Sequence, residues 1–217
     1  TSLSEYVKRM PVEQKEIYYL LAPNREAAES SPYFEVFRAR GMEVLFMFDP
    51  WDEFVMDHLF EFEQKPVKAA EKAEVDLSAE ERGGGLTESE AEELGKWMKE
   101  TLGDRVNQVR VSKRLVGSPA VVLDSDKFMT STMRRILKAA GKAPAAEAKQ
   151  DLEINPRHGI IMRLAKERQA NAALATQVTE QVLDNALVAA GLLEDPRTML
   201  ARLNELLERV LTPTAAK

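Results

Sequence analysis

Cysteine is absent from this 217-residue chain, and histidine occurs only at His58 and His158. The first absence excludes disulfides, thiolate metal sites and cysteine nucleophiles, and it fits a reducing compartment. The second leaves few bases for catalysis. His158 stands beside the Asn155-Pro156 turn with no second imidazole nearby, so it reads as a hydrogen-bonded structural histidine, and no metal site is expected. Long apolar runs are missing too. Nothing approaches the roughly 20 residues of a bilayer-spanning helix, so no membrane partner is expected. The opening TSLSEYVKRMPVEQ has neither the basic start and apolar run of a signal peptide nor a leading Met, and it reads as the start of a fragment. Positive charge is in deficit, with a net charge of −6. Proteins that coat a duplex need clustered Lys and Arg to displace counterions, so nucleic acid is not expected as a partner.

Catalytic motifs are equally scarce. The triglycine RGGGLT lacks both the Lys-Ser/Thr ending of a phosphate loop and an apolar strand before it. VGSPA places Val116 and Ala120 where a nucleophile elbow has glycines. Asp49, Asp52 and Glu53 follow a strand signal, a common place for active sites in α/β folds. With no phosphate loop beside them, they read as capping and solvated groups. In SDKFMTSTMRRIL the hydroxyls of Ser125, Thr130, Ser131 and Thr132 have no imidazole within reach in sequence. No catalytic residue is expected in this chain.

What is present is a pattern of strands and amphipathic helices. EIYYLL (16–21) and EVLFMF (43–48) are nearly all apolar, as strands covered on both faces are, and a helical run over 25–40 ending at Gly41 joins them. This predicts a parallel βαβ unit with a right-handed crossover. DPWDEFVMDHLFEF then opens a helix with Asp49 as N-cap and Pro50 at its first position, carrying Phe54, Met56, Leu59 and Phe60. From Lys65 to Leu86 the composition turns to Ala, Lys, Glu and Asp and ends in three glycines, which reads as a flexible connection. Thr87 and Glu90 form a capping-box signature at the head of a new helix. NQVRVSKRL and PAVVL read as short strands. The predicted organisation is 1–67, a small α/β part; 68–86, a linker; and 87–217, a second domain. The fold class is α+β.

The end of the chain has the clearest periodicity. Val178, Val182, Leu183, Ala186, Leu187 and Ala190 share one helix, while Met199, Leu200, Leu203, Leu206, Leu207, Val210 and Leu211 share the next. Gly191 suits the stop of the first, and Asp195 with Pro196 suits the start of the second. This αα-hairpin has more apolar surface than its own two helices can cover. A second copy packed about a two-fold axis into a dimeric four-helix bundle would cover it; packing onto its own domain is the other solution. In SDKFMTSTMRRIL, Met129, Met133, Ile136 and Leu137 fall on one face with Phe128 beside them. Either this helix is core, or it is a Met-rich, adaptable binding face.

TSLSEYVKRM, IYYLLAPNREAAESSPYFEVFRARGMEVLFMFDPWDEF, VSKRLVGSPAVV, LEINPRHGIIMRL and ALVAAGLLEDPRTMLARLNELL together resemble the ninety-kilodalton heat-shock chaperones of the HtpG group. The wording YYLLAPNR, NPRH and AAGLLEDPR is most similar to the mitochondrial branch and its bacterial relatives.

The resemblance implies that residues 1–67 are the last part of a chaperone middle domain and 87–217 the C-terminal dimerisation domain. The nucleotide site, with its ATP and Mg, would belong to a longer ATPase parent, and no cofactor is expected here. Leu183, Leu187, Leu200, Leu203 and Leu207 match dimer-forming helices of the family. Phe128, Met129 and Met133 match a helix facing the cleft between protomers that is implicated in holding partly unfolded client proteins. Phe54 falls where relatives carry Trp or Tyr near that cleft, with Trp51 beside it. The implied partners are a second copy and client proteins. LTPTAAK departs from the acidic ending that recruits helical-repeat co-chaperones, so those are not expected. The implied compartment is bacterial cytoplasm, with mitochondrial matrix as the alternative. Two other function classes remain beside the chaperone: a purely structural dimerisation module, and a substrate domain of a metabolic enzyme.

Overall fold

The computed structural model describes residues 1–49, 51–73, 75, 84–125, 130–141 and 149–211. The expected N1 proline Pro50, the client-face residues Phe128 and Met129, residues 74 and 76–83 of the linker and the LTPTAAK tail lie outside the described residues, apart from Leu211.

The first half of the chain builds a sheet from α1 (Leu3–Arg9), β1 (Ile17–Leu21), α2 (Arg25–Glu29), α3 (Glu35–Ala39), β2 (Leu45–Met47), α4 (Asp52–His58), β3 (Glu61–Phe62) and β4 (Lys65–Ala69). The strand order is β2-β1-β4-β3, with β1 parallel to both β2 and β4, and β3 antiparallel to β4. The βαβ unit is therefore present. β1 is apolar throughout because its alternate residues enter two cores: Tyr18 and Leu20 pack with Val36 and Phe37, while Tyr19 packs with Met56 and Ala69. Tyr6 pins α1 to this sheet. Its buried hydroxyl donates to the Glu43 carbonyl at 2.6 Å and accepts from Gln14 Nε2 and the Tyr18 N–H, and burial raises its pKa.

Several expected boundaries move. The helical run over 25–40 is two short helices. The Ser30 hydroxyl turns back onto the Glu26 carbonyl at 2.8 Å, and Pro32, with no N–H to donate, follows. α4 begins two residues after Pro50, and the Asp49 carboxylate accepts from the Trp51 N–H at 2.9 Å in a turn ahead of the helix. The helix ends at His58, which leaves Leu59 and Phe60 beyond it. Residues 68–73 and 75, expected in the linker, carry the end of β4 and the buried side chains of Ala70, Ala73 and Val75.

The second half comprises α5 (Glu88–Leu102), a 3-10 turn (Gly103–Arg105), β5 (Val109–Val111), β6 (Ala120–Asp124), α6 (Ser131–Ala139), β7 (Gln150–Ile154), α7 (Gly159–Ala170), α8 (Ala172–Ala189) and α9 (Pro196–Leu211). Its sheet has β7 in the middle, parallel to β5 and antiparallel to β6. The Thr87–Glu90 capping box forms as its spacing predicts. His158 caps α7, its Nδ1 accepting from the Ile160 N–H at 3.1 Å. Gly41 and Gly191 both sit at positive φ, and both end their helices with the paired hydrogen bonds of a Schellman motif.

β6 is a wall between two cores. Ala120 and Val122 face α5, α7 and α8, whereas Val121 and Leu123 join the core of the first sheet. Polar groups close the same seam. The Tyr33 hydroxyl donates to the Val122 carbonyl at 2.6 Å, and the buried Arg114 guanidinium donates to the carbonyls of Ala70, Glu71 and Tyr33. The Glu35 carboxylate accepts from the N–H groups of Val116, Gly117 and Ser118 and from the Ser118 hydroxyl.

Candidate functional site

Among the described residues two apolar surfaces stand out as uncovered, and each has an identifiable support. The first is on α4. Met56 points into the core, while Trp51, at 73% exposure, and the exposed Phe54 and Val55 point outward. The Trp51 and Phe54 rings lie 5.6 Å apart, tilted by 42°. Phe48 and Phe60 extend exposed apolar surface at either end of the helix. Large aromatic side chains contribute much contact area for little entropy, which suits binding.

Glu53 lies on the opposite side of α4 from its exposed neighbours and is buried. It accepts a 2.6 Å hydrogen bond from Thr130 Oγ1, and the same hydroxyl accepts from the Met133 N–H at 3.0 Å, capping α6. The structure thus ties α4, through its buried side, to the start of the Met-bearing helix. Met133, Ile136 and Leu137 are half-buried there. Asp124 holds the same helix from below through Arg134, at 2.5 Å.

The second surface is α9, which buries none of its residues. Leu200 and Leu207 are half-exposed, Leu203 is half-buried, and Val210 and Leu211 are 81% and 80% exposed. α8 behaves differently. Leu183 is 1% exposed in the core of its own domain, and Leu187 packs against that core, so Leu183 has no surface to offer a partner. At the start of α9, Asp195 accepts from the Arg197 N–H and guanidinium, and these bonds hold its carboxyl below the ordinary aspartate range. Sequence reasoning does not pick out Val55, Phe48 or Phe60 for the first surface, and it places Val210 and Leu211 on the apolar face of the last helix without naming them among the interface candidates. Their apolar character was visible, but which side of each element faces solvent was not.

Among the described residues no group of three or more His, Asp and Glu converges as metal donors. In the cavity of about 660 Å³ between the two halves, Arg110 is paired with Asp151 and Glu153 instead of being left for phosphates. Nor is any helix of the described residues long and apolar enough to cross a membrane.

The family model described as "Hsp90 protein" matches residues 1–217. The chain is 40% identical to the "Chaperone protein HtpG" of Desulfotalea psychrophila, over 97% of the chain and 36% of that protein. It is also 40% identical to the "Heat shock protein 75 kDa, mitochondrial" of Rattus norvegicus, over 97% of the chain and 31% of that protein. The HtpG of Vibrio campbellii is 39% identical over 96% of the chain and 33% of its own length. The chain therefore spans about a third of the length of these relatives.

Proposed function

The chain belongs to the Hsp90 protein family, among HtpG proteins and their mitochondrial relatives, and from that premise we propose that it is the self-associating, client-holding part of a molecular chaperone. The observation that carries this reading is the exposed Trp51–Phe54 pair on α4, tied through buried Glu53 to the cap of α6. A partly unfolded protein exposes scattered apolar side chains in no fixed order. Exposed aromatics on α4, together with a flexible thioether such as Met133 on the helix tied to it, would meet such a target with many weak, repackable contacts.

Self-association supplies the second half of the function. The outer face of α9 is the surface offered to a second copy, with Leu200, Leu203 and Leu207 as contacts and Val210 and Leu211 added to them. Leu183 and Leu187 support that face from within. Fully burying one such side chain contributes on the order of 1.5–3 kcal/mol, so a few Leu and Val residues on each copy are enough to offset part of the cost of association. Two joined copies present two client surfaces, and a client bound at one meets the other at high effective concentration. ATP turnover belongs to a longer parent, and no step performed by these residues passes through nucleotide. Bacterial cytoplasm, or the mitochondrial matrix, is the compartment this reading implies.

The test is protection of an unfolded model protein from aggregation, followed by light scattering. The parent chain slows aggregation, and Trp51→Ser with Phe54→Ser weakens the protection without altering the sedimentation coefficient. Undiminished protection by the double variant contradicts the client-holding role.

A further inference from the structure

α9 buries no residue, yet it packs against α8, and ion pairs link the two helices. Asp184, on α8, is buried to 3% side-chain exposure and is paired with both Arg105 and Arg202. Arg202, on α9, also donates to Glu180 at 2.9 Å, and Gln177 donates to Glu205 at 2.7 Å. Glu180 and Asp184 are four residues apart, so they stand one above the other on a single face of α8. A planar guanidinium bridging both fixes the position of α9 along α8 and also its rotation about its own axis.

That rotation decides which residues face outward. At about 100° per residue, Leu200, Leu207 and Leu211 lie roughly 140–180° round the helix from Arg202. Met199 and Leu206 lie on the anchored side, and both are half-buried. An apolar anchor would have competed for the same leucines. A charged anchor leaves them free.

We infer that Arg202, clamped between Glu180 and Asp184, is a positioning residue for self-association: it sets the rotation of α9 so that Leu200, Leu207 and Leu211 face a second copy of this chain. This rests on the self-association reading above and adds the element that enforces it. Lysine in the same place keeps the charge but cannot span both carboxylates with one rigid fork.

The test separates dimer affinity from the stability of the domain. Sedimentation equilibrium of the whole chain gives the dimer dissociation constant, and Trp97 fluorescence in a Trp51→Phe background reports unfolding of the core on which Trp97 packs. Arg202→Met is expected to raise the dissociation constant by about tenfold or more while the Trp97 midpoint stays near that of the parent, with Arg202→Lys in between. Glu180→Gln removes only the more exposed prong and moves affinity the same way by a smaller factor. Affinities of Arg202→Met and Glu180→Gln within about twofold of the parent overturn the inference, as does a loss that merely tracks a falling Trp97 midpoint. A parent chain that sediments as a monomer removes the self-association reading itself, and this one with it.

Discussion

Thr130 Oγ1 donates to Glu53 Oε1 at 2.6 Å and so joins the helix that carries Trp51 and Phe54 to the cap of the helix that carries Met133. Thr130→Val keeps the shape and removes the hydroxyl. Losing the cap costs about 1 kcal/mol, and leaving a buried carboxylate without that donor costs a further 1–3 kcal/mol or so. Urea unfolding measures the sum, and faster amide exchange confined at first to 131–137 locates it.

The Glu35 carboxylate, on α3, collects three N–H groups and a hydroxyl from residues 116–118 across the seam between the two sheets. Glu35→Gln replaces one acceptor oxygen with a donor facing donors. The expected loss is about 1–3 kcal/mol in denaturant unfolding. Ser118→Ala, which removes only the hydroxyl, is expected to cost less than Glu35→Gln.

Glu63 and Gln64 link β3 to β4 with φ of 47° and 61°, a left-handed pair that suits a tight hairpin but strains side-chain-bearing residues. Gln64→Gly relieves that strain at one position. A gain of about 0.5–1 kcal/mol is expected, seen as a higher thermal midpoint.

Asp195 heads α9 with its carboxyl held below the ordinary range by the Arg197 guanidinium and N–H. A depressed folded-state pKa means that the stabilisation is fully present above the unfolded value, about 3.9, and is lost as pH falls through the lower folded value. Amide exchange in the first turn of α9 is therefore expected to quicken on acidification below about pH 4. Asp195→Asn keeps a capping oxygen and flattens that dependence.

Local signals in this sequence translated directly into structure. Thr87 with Glu90, Gly41, Gly191, and Asp195 with Pro196 each marked a helix end, because capping chemistry depends on residues adjacent in the chain. β1 was legible because five consecutive apolar residues suit a strand covered on both sides. β4 and β7 were not. KPVKA carries two lysines and a proline, and QDLEI two carboxylates, and both become strands only through partners distant in sequence. Asp151 is tolerated in β7 because Asn107, Gln108 and Arg110 satisfy it.

The surfaces were half legible for the same reason. Periodicity marked Leu183 and Leu207 alike as residues on an apolar helix face, but it cannot tell which face a neighbouring element covers. Three-dimensional packing gives Leu183 to the core and leaves Leu207 half-exposed. Trp51 is exposed because α4 turns Met56 inward and Glu53 toward Thr130, a choice that depends on β1 and α6 together.

The most direct test of the account places a photoreactive phenylalanine analogue at Trp51 and irradiates the chain with a chemically unfolded model protein. Val12, fully exposed but outside the α4 surface, serves as the control position. The account predicts covalent adducts from position 51 with the unfolded protein, few with its folded form, and few from position 12. Equal yields from the two positions, or none from position 51, would contradict it.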